Sequence, residues 1–301
     1  MADFAVIANS VFQATANAKE SIAWGTKIVG GVTPGRNGEH LGLPVLPTVR
    51  AAKERLNPDA TAVYVAGHQA AQAIEEAIEA EIPLIAAVAE YIPLHELLRI
   101  HSILRTQSKS RLVGANAPGI ISAIGHCRIG FQPLSCYTPG HVGIVAKSGT
   151  LSYETVGSLT RAGVGQSLAI SMGGDVIAGT SFIDALKLFE NDDDTQAIIL
   201  IGEVGGNAEI EAAEWIKDYR NRTPHPKPIV AVLAGICAVP GRVMGHAGAW
   251  VSLGEPDITT KFRTLENAGV QMVRHPEEFG PRMKGLLNNR EPIKTASLAC
   301  R

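Results

Sequence analysis

Short runs rich in valine and isoleucine recur along the chain, separated by stretches with helical spacing of apolar side chains. They fall at residues 5–8, 27–29, 62–66, 84–87, 111–114, 142–146, 167–171, 197–201 and 229–233. These runs are apolar throughout rather than alternating, which predicts strands buried on both faces. Parallel strands joined by crossover helices satisfy that need, so the pattern predicts an α/β architecture with mainly parallel sheets. Residues 70–80 predict one such crossover helix, with Ile74, Ala77 and Ile78 on one face.

The pattern breaks between Gly125 and His141, where Pro133, Cys136, Tyr137, Pro139 and Gly140 cluster without periodicity. That break predicts a linker between a first domain over residues 1–130 and a second over residues 139–287. A length of 301 residues suits two domains of ordinary size. Residues 288–301 lose the apolar pattern and are expected to form a disordered tail.

An apolar fraction of 46% supplies two sizeable cores and excludes a disordered chain. The formal net charge of −2, with acids and bases interspersed, offers no basic stripe for a nucleic acid. Cys127, Cys136, Cys237 and Cys300 show no CxxC spacing. That argues against a structural zinc site and a disulfide framework, and fits a reducing compartment. No residue is assigned to a metal. No apolar run reaches the roughly 18–20 residues of a membrane span, so no membrane partner is expected. The start Met1-Ala2-Asp3-Phe4 has no basic region and reads as neither signal nor transit peptide. The expected location is the cytoplasm, or the mitochondrial matrix if a leader has been removed.

Three strand ends and one loop carry candidate chemistry. The strand at 142–146 runs through Lys147 into Ser148-Gly149-Thr150 and then a helical pattern. A strand–turn–helix junction of this kind presents backbone N–H groups and a positive dipole end to an anion. The alternative is that Ser148 or Thr150 only caps the helix. In Met244-Gly245-His246-Ala247-Gly248-Ala249, small residues leave the imidazole open to approach, as a nucleophile requires. A purely structural histidine is the other reading. Such a nucleophile needs its second nitrogen oriented by an acceptor, and Glu203 at the end of the 197–201 strand could supply one. A solvent-facing loop acid is its bland alternative. Gly173-Gly174-Asp175 closes another strand with glycines that permit close backbone approach.

Together these stretches resemble the α subunit of succinyl-CoA synthetase (succinate–CoA ligase). The resemblance rests on Ser148-Gly149-Thr150, Gly173-Gly174-Asp175, Ile201-Gly202-Glu203-Val204-Gly205-Gly206 and Gly245-His246-Ala247-Gly248-Ala249. In the first domain it adds the stretch from Trp24 to Gly35 and His40-Leu41-Gly42-Leu43-Pro44-Val45. It spans about residues 4–287, in the same order. ATP-citrate lyase shares this module, but Val32-Thr33-Pro34-Gly35 is more similar to succinyl-CoA synthetase.

The resemblance implies a Rossmann-like CoA-binding domain followed by a flavodoxin-like ligase domain. It implies that His246 accepts phosphate, that Glu203 orients it, and that Ser148, Gly149, Thr150, Gly173 and Gly174 bind the phosphoryl group. Gln13, Thr15, Val32, Pro34, Arg36, Tyr64, Val65, Glu90 and Asn116 are the implied CoA-binding residues. The implied reaction joins a small carboxylic acid to CoA through phosphohistidine and an acyl phosphate. A separate β subunit with an ATP-grasp domain brings ATP or GTP with Mg, in an αβ or α2β2 assembly. The loop carrying His246, with Gly235, Gly241, Gly245 and Gly248, is expected to move between two sites.

The first βα turn departs from the family. The family's glycine-rich loop is replaced by Ala8-Asn9-Ser10-Val11-Phe12-Gln13-Ala14-Thr15-Ala16-Asn17. Its Pro-Asn-Cys-Pro turn reads Ala115-Asn116-Ala117-Pro118, its Thr-Glu-Gly reads Ala89-Glu90-Tyr91, and Arg36 stands in place of a lysine. Altered CoA binding is therefore expected. The alternatives are a non-CoA acceptor such as an amine, or a non-catalytic partner subunit.

Overall fold

The structure is a computed structural model that describes residues 4–8, 11–239 and 241–288. Each run of apolar positions becomes a strand, and the described residues form two seven-stranded sheets. The first sheet takes its strands from the N-terminal part of the chain. These are β1 (Phe4–Ala8), β2 (Ile28–Val32), β3 (Gly38–His40), β4 (Leu43–Leu46), β5 (Ala60–Tyr64), β6 (Leu84–Ala87) and β7 (Arg111–Val113). Helices α1 (Val11–Trp24), α2 (Val49–Leu56), α3 (Gly67–Glu79) and α4 (Leu94–Arg105) supply the crossovers. The strand order is β3-β4-β2-β1-β5-β6-β7, parallel except where β3 returns against β4. Chain direction across the sheet reverses at β1, the kind of position where open α/β sheets leave a crevice. Ile74, Ala77 and Ile78 on α3 are all buried against this sheet, as their spacing predicted.

The second sheet contains β8 (Gly119–Ser122), β9 (Cys127–Gly130), β10 (Pro139–Ala146), β11 (Gln166–Ser171), β12 (Ala197–Glu203), β13 (Ile229–Ala234) and β14 (Gln271–Met272). Helices α5 (Gly149–Arg161), α6 (Phe182–Asn191), α7 (Ala208–Arg222), α8 (Ile258–Asn267) and α9 (Phe279–Asn288) cover it. Its order is β14-β13-β12-β10-β11-β8-β9, with the β8–β9 hairpin antiparallel at one edge. Every residue of β12 is buried, which accounts for its unbroken apolar sequence.

The chain passes to the second sheet between Val113 and Gly119, ahead of the linker expected at 125–141. Residues 119–130, read with the first domain, therefore pair in the second sheet. The hairpin is also seated on the first unit. Arg128, fully buried in β9, donates to the Ser21 hydroxyl at 2.9 Å and the Asn17 carbonyl at 2.7 Å, both on α1. Its guanidinium also reaches Glu20 Oε2 at 3.1 Å. The Tyr64 hydroxyl donates to the Gly130 carbonyl at 2.6 Å from the end of β5. A guanidinium has five donors and no acceptor, so burying it requires this ring of oxygens. The expected tail at 288–301 lies outside the described residues except for Asn288, the last residue of α9. No helix among the described residues is long and apolar enough to cross a membrane.

Candidate active site

Parallel pairing brings three strand ends level. Ala146 of β10 pairs with Ser171 of β11 on one side and with Ile201 of β12 on the other. The Lys147 amide then donates to the Ile201 carbonyl at 3.0 Å, and the Met172 amide to the Ala146 carbonyl at 2.8 Å. Ser148-Gly149-Thr150, Gly173-Gly174 and Glu203 consequently leave the sheet at one edge. Ser148 is the N-cap of α5, its hydroxyl accepting from the Leu151 amide at 3.3 Å. Capping and anion binding are compatible here, because a helix start leaves several amides without helical partners.

His246 lies in the loop between β13 and α8. The loop is folded back on itself, with the Met244 amide donating to Ala249 at 2.9 Å and the Ala249 amide to His246 at 3.0 Å. It is pinned to the β11 turn by the Gly248 amide, which donates to the Gly174 carbonyl at 3.2 Å. The imidazole rests on Gly174, where a Cβ would stand 2.5 Å from Cδ2 and 2.9 Å from Nδ1. Any side chain there would push the imidazole away.

His246 Nδ1 lies 2.6 Å from Glu203 Oε2. Glu203 is 6% exposed and His246 28% exposed, so the carboxylate is enclosed while the ring keeps an open side. An ionised carboxylate only accepts, so Nδ1 carries the proton and Nε2 presents its lone pair. The hydrogen bond to Glu203 raises the imidazole pKa above its ordinary value, against the opposing effect of burial. The charges of Glu203 and Glu90 add to the rise, and that of Lys147 opposes it.

A buried ionic cluster supports Glu203, and sequence reasoning missed it. Glu209, fully buried in the first turn of α7, accepts from the Glu203 amide at 3.1 Å through Oε1. The same oxygen pairs with Lys147 Nζ at 3.1 Å, while Oε2 pairs with Lys261 Nζ at 2.6 Å. Lys261, also fully buried, donates further to the Glu203 carbonyl at 3.0 Å and to the Gly205 carbonyl. Burial lowers the Lys261 pKa, and Glu209 works against that effect. Lys261 shares a buried helix face with Leu265, four residues on. A lysine on an apolar stripe was the available signal.

Beside Glu203 opens a cavity of about 530 Å³, lined among others by Lys147, Gly173, Asp175, Gly205, Gly248 and Trp250. Asn116 Nδ2 donates to Asp175 Oδ1 at 3.2 Å, joining the first sheet's last turn to this site. Burial raises the Asp175 pKa, with Glu90 adding and both Asn116 and His246 opposing. Glu90 and Asn116, expected at CoA, therefore stand against the histidine's surroundings.

The other expected CoA residues divide. Thr15, Val32 and Arg36 line one cleft of about 260 Å³ between α1, β2 and the β3–β4 hairpin. There Thr15 Oγ1 lies 2.9 Å from His40 Nε2. Pro34 is exposed in the turn just before Arg36. The Tyr64 hydroxyl is committed to Gly130 rather than to this cleft, and Val65 is buried after it. Gln13 falls in α1, but its side chain lies outside the described residues, as do Asn9 and Ser10.

Two family models match the chain. A CoA binding domain model matches residues 7–91 and a CoA-ligase model matches residues 145–271. The succinate–CoA ligase [ADP-forming] subunit alpha of Staphylococcus aureus strain Mu50 is 44% identical over 263 residues, 87% of this chain and 85% of its own length. The chain belongs to the succinate–CoA ligase α-subunit family. The Staphylococcus epidermidis subunit is 43% identical over the same shares.

Among solved structures, ATP citrate lyase of Methanosaeta concilii, in complex with (3S)-citryl-CoA, superposes with a TM-score of 0.83 at 23% identity. The match covers 95% of this chain and 50% of that one, so this chain spans half of the lyase's length. The dinucleotide-forming acetyl-coenzyme A synthetase 1 of Ca. Korarchaeum cryptofilum, in complex with phosphate and ADP, gives 0.75 at 18% identity, over 95% and 60%. These two establish the fold. Within the family frame, the first model covers the Thr15/Arg36 cleft, and the second runs from the end of β10 through the His246 loop to β14. The β8–β9 hairpin falls between the two matched segments.

Proposed function

We propose that this chain is the α-type subunit of a nucleotide-dependent carboxylic acid–CoA ligase in which His246 relays phosphate from nucleotide to acid. The observation that carries the reading is the 2.6 Å hydrogen bond from His246 Nδ1 to the buried Glu203. An ionised carboxylate at that distance supports the tautomer in which Nε2 is the nucleophile, as covalent catalysis by histidine requires. Nε2 attacks the terminal phosphorus, and the bond to the departing nucleoside diphosphate breaks. Glu203 offsets the positive charge that develops on the ring. The start of α5 at Ser148-Gly149-Thr150 and the Gly173-Gly174 turn then face the phosphoryl oxygens, where a helix dipole favours negative charge by about 0.3–1 kcal/mol. His246 next yields the group to a carboxylate oxygen of the acid, giving an acyl phosphate and returning to the neutral imidazole.

CoA supplies the thiol that takes the acyl group as free phosphate leaves. The residues of the Thr15/Arg36 cleft fit CoA in kind. Arg36 offers an exposed cation for phosphates, and Ala14, Ala18 and Val45 offer an apolar wall. Asn116, bonded to Asp175, and Glu90, whose charge acts on His246, are where the thiol end would arrive in this reading. Helix α1 begins at Val11 rather than at a glycine, so the backbone approach to the phosphates differs from the family's loop.

The nucleotide arrives with a partner β subunit bearing an ATP-grasp domain and Mg, in an αβ or α2β2 assembly. Large apolar side chains stand exposed along the His246 loop: Ile236, Val239, Val243, Met244, Trp250 and Leu253. A subunit that delivers nucleotide to His246 would cover them, consistent with an exposed apolar patch marking an interface. ATP and succinate accord with the ADP-forming succinate–CoA ligase relatives. A cytoplasmic location accords with their bacterial source. Mixing the chain with a matching β subunit, ATP, Mg, succinate and CoA should yield thioester and ADP together. ADP release that is acid-dependent but produces no thioester would favour the amine-acceptor reading instead.

A further inference from the structure

We infer that Lys147 grips the phosphoryl group carried by His246, with Glu209 holding the lysine in readiness between turnovers. This rests on the phosphohistidine reading and adds to it a side chain that no motif singled out. Lys147 immediately precedes the Ser148 cap, at the level where β10, β11 and β12 end. Of the described residues lining the cavity beside Glu203, Lys147 alone carries a cationic side chain. The same wall carries four acids, Asp175, Glu203, Glu211 and Glu255, and Glu90 adds its field from the first unit. A phosphoryl group brings roughly two more negative charges. Against these acids, the Lys147 cation adds to the α5 helix start in offsetting that charge.

Glu209 is shared between two unequal lysines. Lys261 is fully buried and donates to three oxygens, from Glu209, Glu203 and Gly205. Lys147 is 13% exposed and meets Glu209 at 3.1 Å. If Lys147 turns toward the phosphoryl oxygens, Glu209 keeps Lys261 and is not left as a costly unpaired buried charge. The turn of Lys147 is therefore permitted by its partner's second ion pair. When the phosphoryl group departs, Lys147 returns to Glu209, so the cluster alternates between two satisfied arrangements. Lys147 is close enough for its charge to act on the His246 ring already in the unphosphorylated state.

The test uses phosphoramidate, which phosphorylates imidazole with release of ammonia and needs neither nucleotide nor β subunit. The full chain, K147M, K147Q, K147R and H246A are treated, and the protein-bound phosphoryl group is titrated by ³¹P NMR. Circular dichroism of each variant is compared with that of the parent chain. The expected result is a phosphoryl midpoint about 1 pH unit or more higher in K147M and K147Q than in the parent, with K147R close to the parent. A lysine with only a structural role would leave that midpoint in place. Labelled parent and variants that titrate alike would overturn the role of Lys147 while leaving phosphohistidine intact. A parent chain labelled no more than H246A would overturn both.

Discussion

Glu203 and His246 meet at 2.6 Å across 43 residues of sequence, one at the buried end of β12 and the other on a loop with an open side. The pair sets the pH response of the site. Glu203 raises the histidine pKa above the ordinary 6.5, so the nucleophilic neutral ring is depleted at higher pH than in a free histidine. Phosphorylation should therefore rise with pH through a midpoint above 6.5, and E203Q should move that midpoint down and slow labelling by about 100-fold. An unchanged pH profile in E203Q would remove the orienting role. Stability runs the other way. The folded state holds this proton more tightly than the unfolded chain does. The pair's contribution is therefore full below about pH 6.5 and is lost as pH rises through the raised value.

Gly174 forms the floor under the imidazole. In G174A the new methyl would stand 2.5 Å from His246 Cδ2, forcing the ring off Glu203. The fold should survive, because the loop rather than the sheet gives way, but labelling of His246 should fall about 100-fold, the scale expected for a misplacement near 1 Å. Labelling kinetics with circular dichroism as the folding control separate this from global damage.

Lys261 and Glu209 are both fully buried, so removing Lys261 leaves Glu209 with its Lys147 pair and takes a buried donor from the Glu203 and Gly205 carbonyls. K261M should lower unfolding free energy by about 3 kcal/mol, read from the urea midpoint and slope. Its effect on labelling should follow, since Lys261 also braces the Glu203 and Gly205 carbonyls. A midpoint within error of the parent would show the cluster to be energetically neutral.

Arg36 is the exposed cation of the Thr15/Val32 cleft. A charge-assisted contact contributes about 1.5–3 kcal/mol. R36A should accordingly raise KM for CoA about tenfold or more in the assembled enzyme, with kcat and His246 labelling little changed. A fall in kcat with KM unchanged would place CoA elsewhere.

The strands were legible because burial on both faces leaves an unmistakable apolar run, as in β12, and the motifs of the resemblance marked both Glu203 and His246, which the structure brings together. What escaped the sequence was long-range pairing. The β8–β9 hairpin carries too few residues to declare which sheet it joins, and only its pairing with β11 and the Arg128 contacts to α1 settle it. Glu209 in the first turn of α7 reads as an ordinary dipole-facing acid. Its partners lie 62 residues before it at Lys147 and 52 after it at Lys261, beyond any local pattern. Asn116 and Glu90 carry motifs that imply CoA contacts, yet Asn116 bonds to Asp175 on the ligase side and the charge of Glu90 acts there.

Direct labelling decides whether His246 Nε2 carries the phosphoryl group. The chain and a matching β subunit should be incubated with γ-³²P-labelled ATP and Mg, and the labelled peptide identified by mass spectrometry. The expected result is an acid-labile, base-stable label on His246 that is absent from H246A and is discharged on adding succinate and CoA. Equal labelling of H246A, or a label on another residue, would contradict it.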